Sequence, residues 1–241
     1  MIGPAYDVAA VDEAMDGVDA VVHCAAMASP TLGTAPELFR ANSMSTFVVL
    51  ESAVRHDVRA AVIASSLSVT GLPWGDVPAP WLPLDERVPL QVRDVYAHSK
   101  QVDEATAAYL AAAHEIGVVA LRYPLLGVPE RELGRDAAAF LTDPGAGARS
   151  LWAYLDTRDA ATAALLALEH AERLGFERFF LSAPNTLATL PSQELVDRFH
   201  AGVPVLRRLR DHEALVDTSW AAELLGFAPE HVFDPFTVVS G

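Results

Sequence analysis

The chain has 241 residues, enough to bury one good-sized core, and its 51% hydrophobic and 20% charged content excludes disordered and collagen-like classes. No run approaches the about 18 consecutive apolar residues of a membrane-crossing helix. The net charge of -15 repels phosphate backbones and anionic lipid, so no nucleic-acid and no membrane partner is expected.

In chain order, a helical stretch over residues 11–15 ends at Gly17, and an apolar run over 18–26 comes next. The length and continuity of that run predict a strand buried on both faces, as in parallel sheets. From 36 to 53 apolar residues recur at helical spacing, through Leu38, Phe39, Phe47 and Leu50 and on to Val54. Residues 60–66 read as a second buried strand that ends in the hydroxyls of Ser65 and Ser66. Five prolines (Pro73, Pro78, Pro80, Pro83, Pro89) mark a long loop over 72–90. A helix is predicted over 95–115, ending before Gly117, then a strand over 118–123. An Ala- and Leu-rich helix over 159–174 is closed by Gly175, and a strand over 176–182 succeeds it. Two helices complete the chain: one begins near Pro191, the other covers 218–225 with Asp217 or Thr218 as cap and Gly226 as stop. Alternating strands and helices at this spacing predict an α/β fold, a parallel sheet with helices on both faces.

Tyr96-Ala97-His98-Ser99-Lys100 places a phenol and an ammonium four residues apart on the predicted helix, so both address one small volume. A free Tyr titrates near about 10 and is a poor proton carrier at neutral pH. A neighbouring cation favours the phenolate, and a lowering of about 2–3 units corresponds to roughly 3–4 kcal/mol. Lys100 is the sole lysine of the chain, and the other 16 of its 17 basic residues are Arg. Five tyrosines placed at random would put one four positions before that lysine in only about 2% of cases. Ser65-Ser66, at the carboxyl end of a buried strand where α/β sheets bind ligands, is the natural third member; a serine pair at a strand end could otherwise simply satisfy the backbone.

These segments resemble the extended short-chain dehydrogenase/reductases, the NAD-dependent epimerase/dehydratase family. The resemblance rests on residues 17–26, Asn42 with Thr46, residues 64–71, Leu84-Asp85-Glu86, Tyr96 to Lys100 with Glu104, Leu121-Arg122-Tyr123, residues 156–160 and residues 224–229, in family order over nearly the whole chain. It implies a Rossmann-like core over 1–128 and 151–184 and a small substrate-binding lobe over 129–150 and 185–241, within one domain. It implies Tyr96 as general acid/base and Lys100 as the group that lowers its pKa and binds the nicotinamide ribose. Ser66, five before Gly71, would be the partner of the substrate oxygen. Cys24, Ala25 and Ala26 would line the dinucleotide by main chain, and Asn42, Ala64, Ser65 and Tyr123 would flank it. The implied cofactor is NAD or NADP. The implied activity is that of an NAD(P)-dependent oxidoreductase or epimerase acting on a sugar, sugar-nucleotide or similar hydroxyl or carbonyl compound. Family members are commonly dimers, which leaves a homodimer open beside the small-molecule substrate.

The family opens with a strand, a Gly-x-x-Gly-x-x-Gly turn and a helix that holds the pyrophosphate. Here the first residues align with the segment just after the family's third strand, and about 50–60 residues of opening are expected to be missing, the size of two βα units. A start site assigned too late is the favoured explanation, ahead of a fragment or a genuinely shortened protein. Without that opening the strand over 18–24 is expected to be an open edge. Gly145-Ala146-Gly147 comes after no predicted strand and reads as a decoy. Ser45 stands where the family usually has Gly, and Thr70 where it often has Tyr. The competing reading is a non-catalytic binding or scaffold protein that has lost the phosphate loop.

The eight histidines form no His-x-x-x-His pair, and Cys24 is the one cysteine, so no metal site is expected. A single cysteine and an N-terminus without a basic and apolar leader predict a cytoplasmic protein. Neither a Gly-x-Ser-x-Gly elbow nor a P-loop is present. Trp152 and Tyr154 read as core aromatics in preference to a substrate-stacking pair. Arg207, Arg208 and Arg210 read as a solvated turn, with an anion-facing cluster as the alternative.

Overall fold

The computed structural model describes residues 3–240. They form two compact units, one from residues up to 75, 90–122 and 164–179, the other from 76–89, 123–163 and 180 onward.

In the first unit, α1 (Val8–Ala14) is started by Asp7, whose carboxylate accepts from the backbone N–H groups of Ala9 and Ala10 at 3.1 and 3.2 Å. β1 (Ala20–His23) leads to α2 (Ala35–Phe39), which runs through a π-helical turn (Arg40–Met44) into α3 (Ser45–Arg55). Then come β2 (Ala60–Ser66), α4 (Val95–Ala113) and β3 (Gly117–Tyr123). The remaining elements are β4 (Leu125–Gly127), α5 (Gly134–Thr142), β5 (Tyr154–Asp156), α6 (Thr157–Leu174), β6 (Phe176–Phe180), α7 (Ser192–Phe199) and α8 (Ser219–Leu225).

The main sheet has the order β1-β2-β3-β6, with a helix between every two neighbours along the chain. β1 and β2 run parallel in the register Ala20↔Ala60 to His23↔Ile63. This is the parallel, helix-connected, Rossmann-like sheet that the sequence predicts. Its core gathers Val21 from β1, Val49, Leu50 and Ala53 from α3, Ala61 and Ile63 from β2, Ala107 and Leu110 from α4, and Val118 and Ala120 from β3.

The expected two-sided burial holds for two of these strands and fails for the first. β2 and β3 are buried along nearly their whole length, but β1 alternates: Ala20 and Val22 are exposed, Val21 and His23 buried. β1 lies at the sheet edge, and its Val22 is 44% exposed. Continuity of apolar residues is therefore not a measure of two-sided burial.

In the second unit β4 and β5 pair in parallel, Leu125↔Tyr154 to Gly127↔Asp156, in a two-stranded sheet absent from the sequence prediction. Residues 72–90 carry no helix or strand, yet Leu82 and Leu84 are fully buried and bridge to Val205 and Val216. Trp152 and Tyr154 are fully buried, as core aromatics should be; the Tyr154 hydroxyl donates to Asn185 Oδ1 at 2.6 Å and accepts from Phe233 N at 2.8 Å. Residues 144–150 form a 3-10 turn, and a side chain on Gly147 would overlap the Trp152 indole; Gly145-Ala146-Gly147 thus serves packing. Arg207 pairs with Glu213 at 2.5 Å, while Arg208 and Arg210 are exposed.

Candidate functional site

α4 begins at Asp94, whose carboxylate accepts from Ala97 N at 2.9 Å, so Tyr96 stands in the first helical turn. Its phenol lies beside the Ser66 hydroxyl at the carboxyl end of β2, near enough for that hydroxyl to pull its pKa down. Four residues on, Lys100 Nζ lies 6.0 Å from the centre of the Tyr96 ring. The structure thus brings Ser66, Tyr96 and Lys100 together, all of them buried. Ser66 is held in turn: its Oγ accepts from Ser68 N at 3.1 Å and bonds Ser68 Oγ at 3.1 Å, which aims the hydroxyl at the strand end.

Electrostatically the site departs from expectation. Burial raises the Tyr96 phenol above the ordinary tyrosine value; the Ser66 hydrogen bond opposes this, and the charges of Asp103 and Asp94 add to it. The ammonium has other company. Lys100 Nζ donates to Ala64 O at 2.8 Å and to Asp103 Oδ2 at 3.3 Å, and both charged side chains are at most 5% exposed. The net direction for Tyr96 is upward, burial being the largest cause, and the Lys100 cation beside it is shared with the buried Asp103 carboxylate.

The residues expected to flank a dinucleotide divide into two groups. Cys24, Ala25 and Ala26 come directly after β1 and are exposed, with main chain available at the carboxyl end of the sheet. Ala64 is partly buried, and its carbonyl serves Lys100. Asn42 and Ser65 are committed elsewhere. Asn42 is fully buried; its Oδ1 accepts from Met27 N at 2.7 Å and its Nδ2 donates to Met27 O at 3.2 Å and Ser99 Oγ at 2.9 Å. It clamps the turn after β1 to α4. Ser65 Oγ donates to Glu104 Oε1 at 2.6 Å, beside the bidentate pair of Glu104 with Arg122 at 2.8 Å. Its role is to complete a buried ion pair. Tyr123 ends β3, and its hydroxyl donates to Ala160 O at 3.2 Å.

Asp103 is the residue that sequence reasoning missed. The signal was present: Tyr96, Lys100, Asp103, Glu104, Ala107 and Leu110 recur at helical spacing, and all are buried on α4. An acidic residue within that pattern had to meet a partner indoors. His23, at the end of β1, is a second buried neighbour. Burial foremost, and the charge of Lys100 with it, lower its pKa to about 4.

The nicotinamide-ribose end of a dinucleotide fits these residues. Lys100 has three N–H donors and two acceptors, leaving one donor for a ribose hydroxyl. The chain's 14 glycines include no Gly-x-x-Gly-x-x-Gly turn, so the residues assigned here concern that end alone. Among the described residues no three His, Cys, Asp or Glu side chains gather as a metal site, and no helix is long and apolar enough to cross a membrane.

Comparisons with known proteins bear on the family and the fold. Residues 4–179 match the sequence model of the NAD dependent epimerase/dehydratase family. A search of curated proteins found no match. Among solved structures, a short-chain dehydrogenase/reductase superfamily protein from Agrobacterium tumefaciens with bound NAD superposes with a TM-score of 0.70 at 21% identity, covering 99% of this chain and 82% of that one. The UDP-glucose 4-epimerase from Brucella ovis in complex with NAD gives 0.68 at 23% identity, over 99% and 82%. RMD from Pseudomonas aeruginosa complexed with NADPH gives 0.68 at 17% identity, over 96% and 83%.

Proposed function

The chain belongs to the NAD dependent epimerase/dehydratase family, and from that premise we propose that it is an NAD(P)-dependent oxidoreductase or epimerase acting on a hydroxyl or carbonyl carbon of a sugar or sugar-nucleotide. One observation carries the reading: the Tyr96 phenol, the Ser66 hydroxyl and the chain's sole lysine meet at the carboxyl end of β2. The names of the fold neighbours, among them UDP-glucose 4-epimerases, support the substrate class.

A bound nicotinamide supplies the acceptor or donor of hydride. The chain's own residues manage the oxygen. Ser66 bonds the substrate oxygen and fixes it beside Tyr96. Tyr96 then moves the proton: its phenol donates to a carbonyl oxygen that gains hydride at carbon, and its phenolate accepts from a hydroxyl whose carbon loses hydride. Lys100, anchored on Ala64 O, directs its remaining N–H to a ribose hydroxyl and stabilises the phenolate by charge. The main chain of Cys24, Ala25 and Ala26 lines the dinucleotide. Because burial raises the Tyr96 pKa, the protonated form prevails at neutral pH. Turnover in the oxidising direction should therefore climb as pH rises towards that pKa, and reduction should fall over the same range.

The experiment is a fluorescence titration of the 241-residue chain with NAD(H) and NADP(H), then turnover assays on UDP-sugars with the native chain and Tyr96→Phe. Saturable binding is expected, together with turnover that drops by about 10²–10⁴-fold in the variant, the usual worth of a general acid/base. Absence of nucleotide binding, or equal turnover in Tyr96→Phe, would overturn the reading in favour of a non-catalytic binding protein.

A further inference from the structure

We propose that Asp103 is a positioning residue of this site: its carboxylate holds the Lys100 ammonium from the next helical turn and offsets its charge, and so limits how far Lys100 favours the Tyr96 phenolate. The proposal rests on the reading of Tyr96 as the proton carrier. Its own content, however, is electrostatic and is tested without turnover.

Four observations support it. Lys100 and Asp103 stand at i and i+3 on α4, with Nζ 3.3 Å from Oδ2 and side chains only 5% and 1% exposed, so solvent screens the pair weakly. The neighbouring acid cannot take this role, because Glu104 is held by the Arg122 guanidinium from β3 and by Ser65 from β2. Among the described residues Asp103 Oδ1 is buried without a hydrogen-bond partner, so the charge compensation of this carboxylate comes from Lys100. Finally, the chain holds no other lysine that could replace the charge.

Charged and polar groups surround this pair on several elements. On α4 they are Tyr96 and Glu104, with Asp94 at the helix start; on α3, the Thr46 hydroxyl; on β1, His23; on β2, Ser66; on β3, Arg122. The π-helical turn at Arg40–Met44 and the turn at Leu67–Thr70, also packed on α4, add the polar uncharged Asn42, Ser43, Ser68 and Thr70. His23 stays neutral at physiological pH, Glu104 is paired with Arg122 and Asp94 stands at the helix start, so Asp103 is the acid in direct contact with Lys100 that offsets its charge. Burial pushes the Asp103 carboxyl up, with Lys100 and Thr46 pulling the other way; the offset is thus itself lost on acidification.

The test tracks the Tyr96 side chain directly. Chain labelled with carbon-13 tyrosine is titrated by NMR, and the Tyr96 ring resonance among the five tyrosines is assigned by its loss in Tyr96→Phe. At alkaline pH values where the fold persists, Asp103→Asn should ionise Tyr96 about tenfold more than the native chain does at the same pH, the equivalent of about one pKa unit. Asp103→Ser removes the charge with a smaller side chain and should act in the same direction, while Asp103→Glu, which keeps it, should match the native chain. Equal ionisation in the Asn and Ser variants, or a Glu variant that behaves as Asn does, overturns the proposal. If ionisation shifts as expected but Tyr96→Phe retains full turnover, the proposed function falls and this inference stands.

Discussion

At the scale of single residues, the site is built from polar groups indoors, and each has a cost that pH can reveal. His23 is the clearest case. His23 is 7% exposed, its Nε2 has no hydrogen-bond partner among the described residues, and its pKa falls to about 4, through burial first and the charge of Lys100 second. Unfolded, the same group titrates near 6.5. Between those values the unfolded chain binds a proton that the folded chain refuses, so the contribution of His23 to stability is complete above about 6.5 and is lost as pH falls towards 4. The shift corresponds to roughly 3 kcal/mol. Urea unfolding of the native chain and His23→Gln across this window should show a loss of that order in the native chain and a shallower one in the variant; parallel curves would mean that His23 is not the group titrating. His23 also shows where reading residues one by one stops: its burial was expected, whereas its place beside Lys100 was not. Tyr96 and Lys100 were legible because one helical turn joins them. Asn42 and Ser65 were placed beside a dinucleotide by resemblance alone; their bonds to Ser99 and Glu104, 57 and 39 residues away, were not legible because no local pattern connects them.

At the scale of elements, the position of β3 depends on one close approach. Gly117 opens the strand, its N–H donates to Arg59 O at 2.8 Å, and a Cβ there would overlap the Ala171 carbonyl of α6. One residue on, Val118 N donates to Gly175 O at 2.6 Å, so strand and helix end are locked together. Gly117→Ala should therefore separate β3 from α6 and cost about 1–3 kcal/mol, as overpacking does. Gly175→Ala supplies the contrast: nothing lies within 4 Å of its Cβ, but φ is +68°, so the cost should be about 1 kcal/mol and confined to the helix terminus. Thermal melts of both variants should rank Gly117→Ala as the more damaging; the reverse order would show that the approach of α6 relaxes easily. Most long elements were legible, because hydrophobic periodicity is a local property. Helices Val95–Ala113 and Ser219–Leu225 lie within two residues of their expected limits, and Gly226 stops the latter at φ 71°. The elements that escaped are short or lack a period: β4 and β5 have three residues each, and α5 continues from a π turn at Pro129–Leu133. The outer face of β1 escaped for a different reason, since the covering of a strand is decided by distant parts of the chain.

At the scale of the whole chain, composition anticipated the class of fold, and the order β1-β2-β3-β6 results from a helix between every two neighbours. Composition also predicts a response that no single contact shows. The chain carries 32 acidic and 17 basic residues, so even if every Arg and Lys found a carboxylate, 15 negative charges would remain without a partner. Surface pairs such as Arg55–Asp12 and Arg59–Glu115 are screened by water and weaken in salt. Repulsion among the excess carboxylates weakens as well, and it acts between many more pairs. Raising sodium chloride from about 0.01 M to about 0.15 M shortens the screening length from about 30 Å to about 8 Å, which removes most of that long-range repulsion and leaves buried pairs such as Arg122–Glu104 nearly untouched. Unfolding midpoints from circular dichroism should therefore rise with salt at neutral pH and respond little near the pI of about 4.8, where the excess charge is neutralised. A midpoint that falls with salt at neutral pH would mean that the surface pairs, and not the excess negative charge, dominate the electrostatics of the fold.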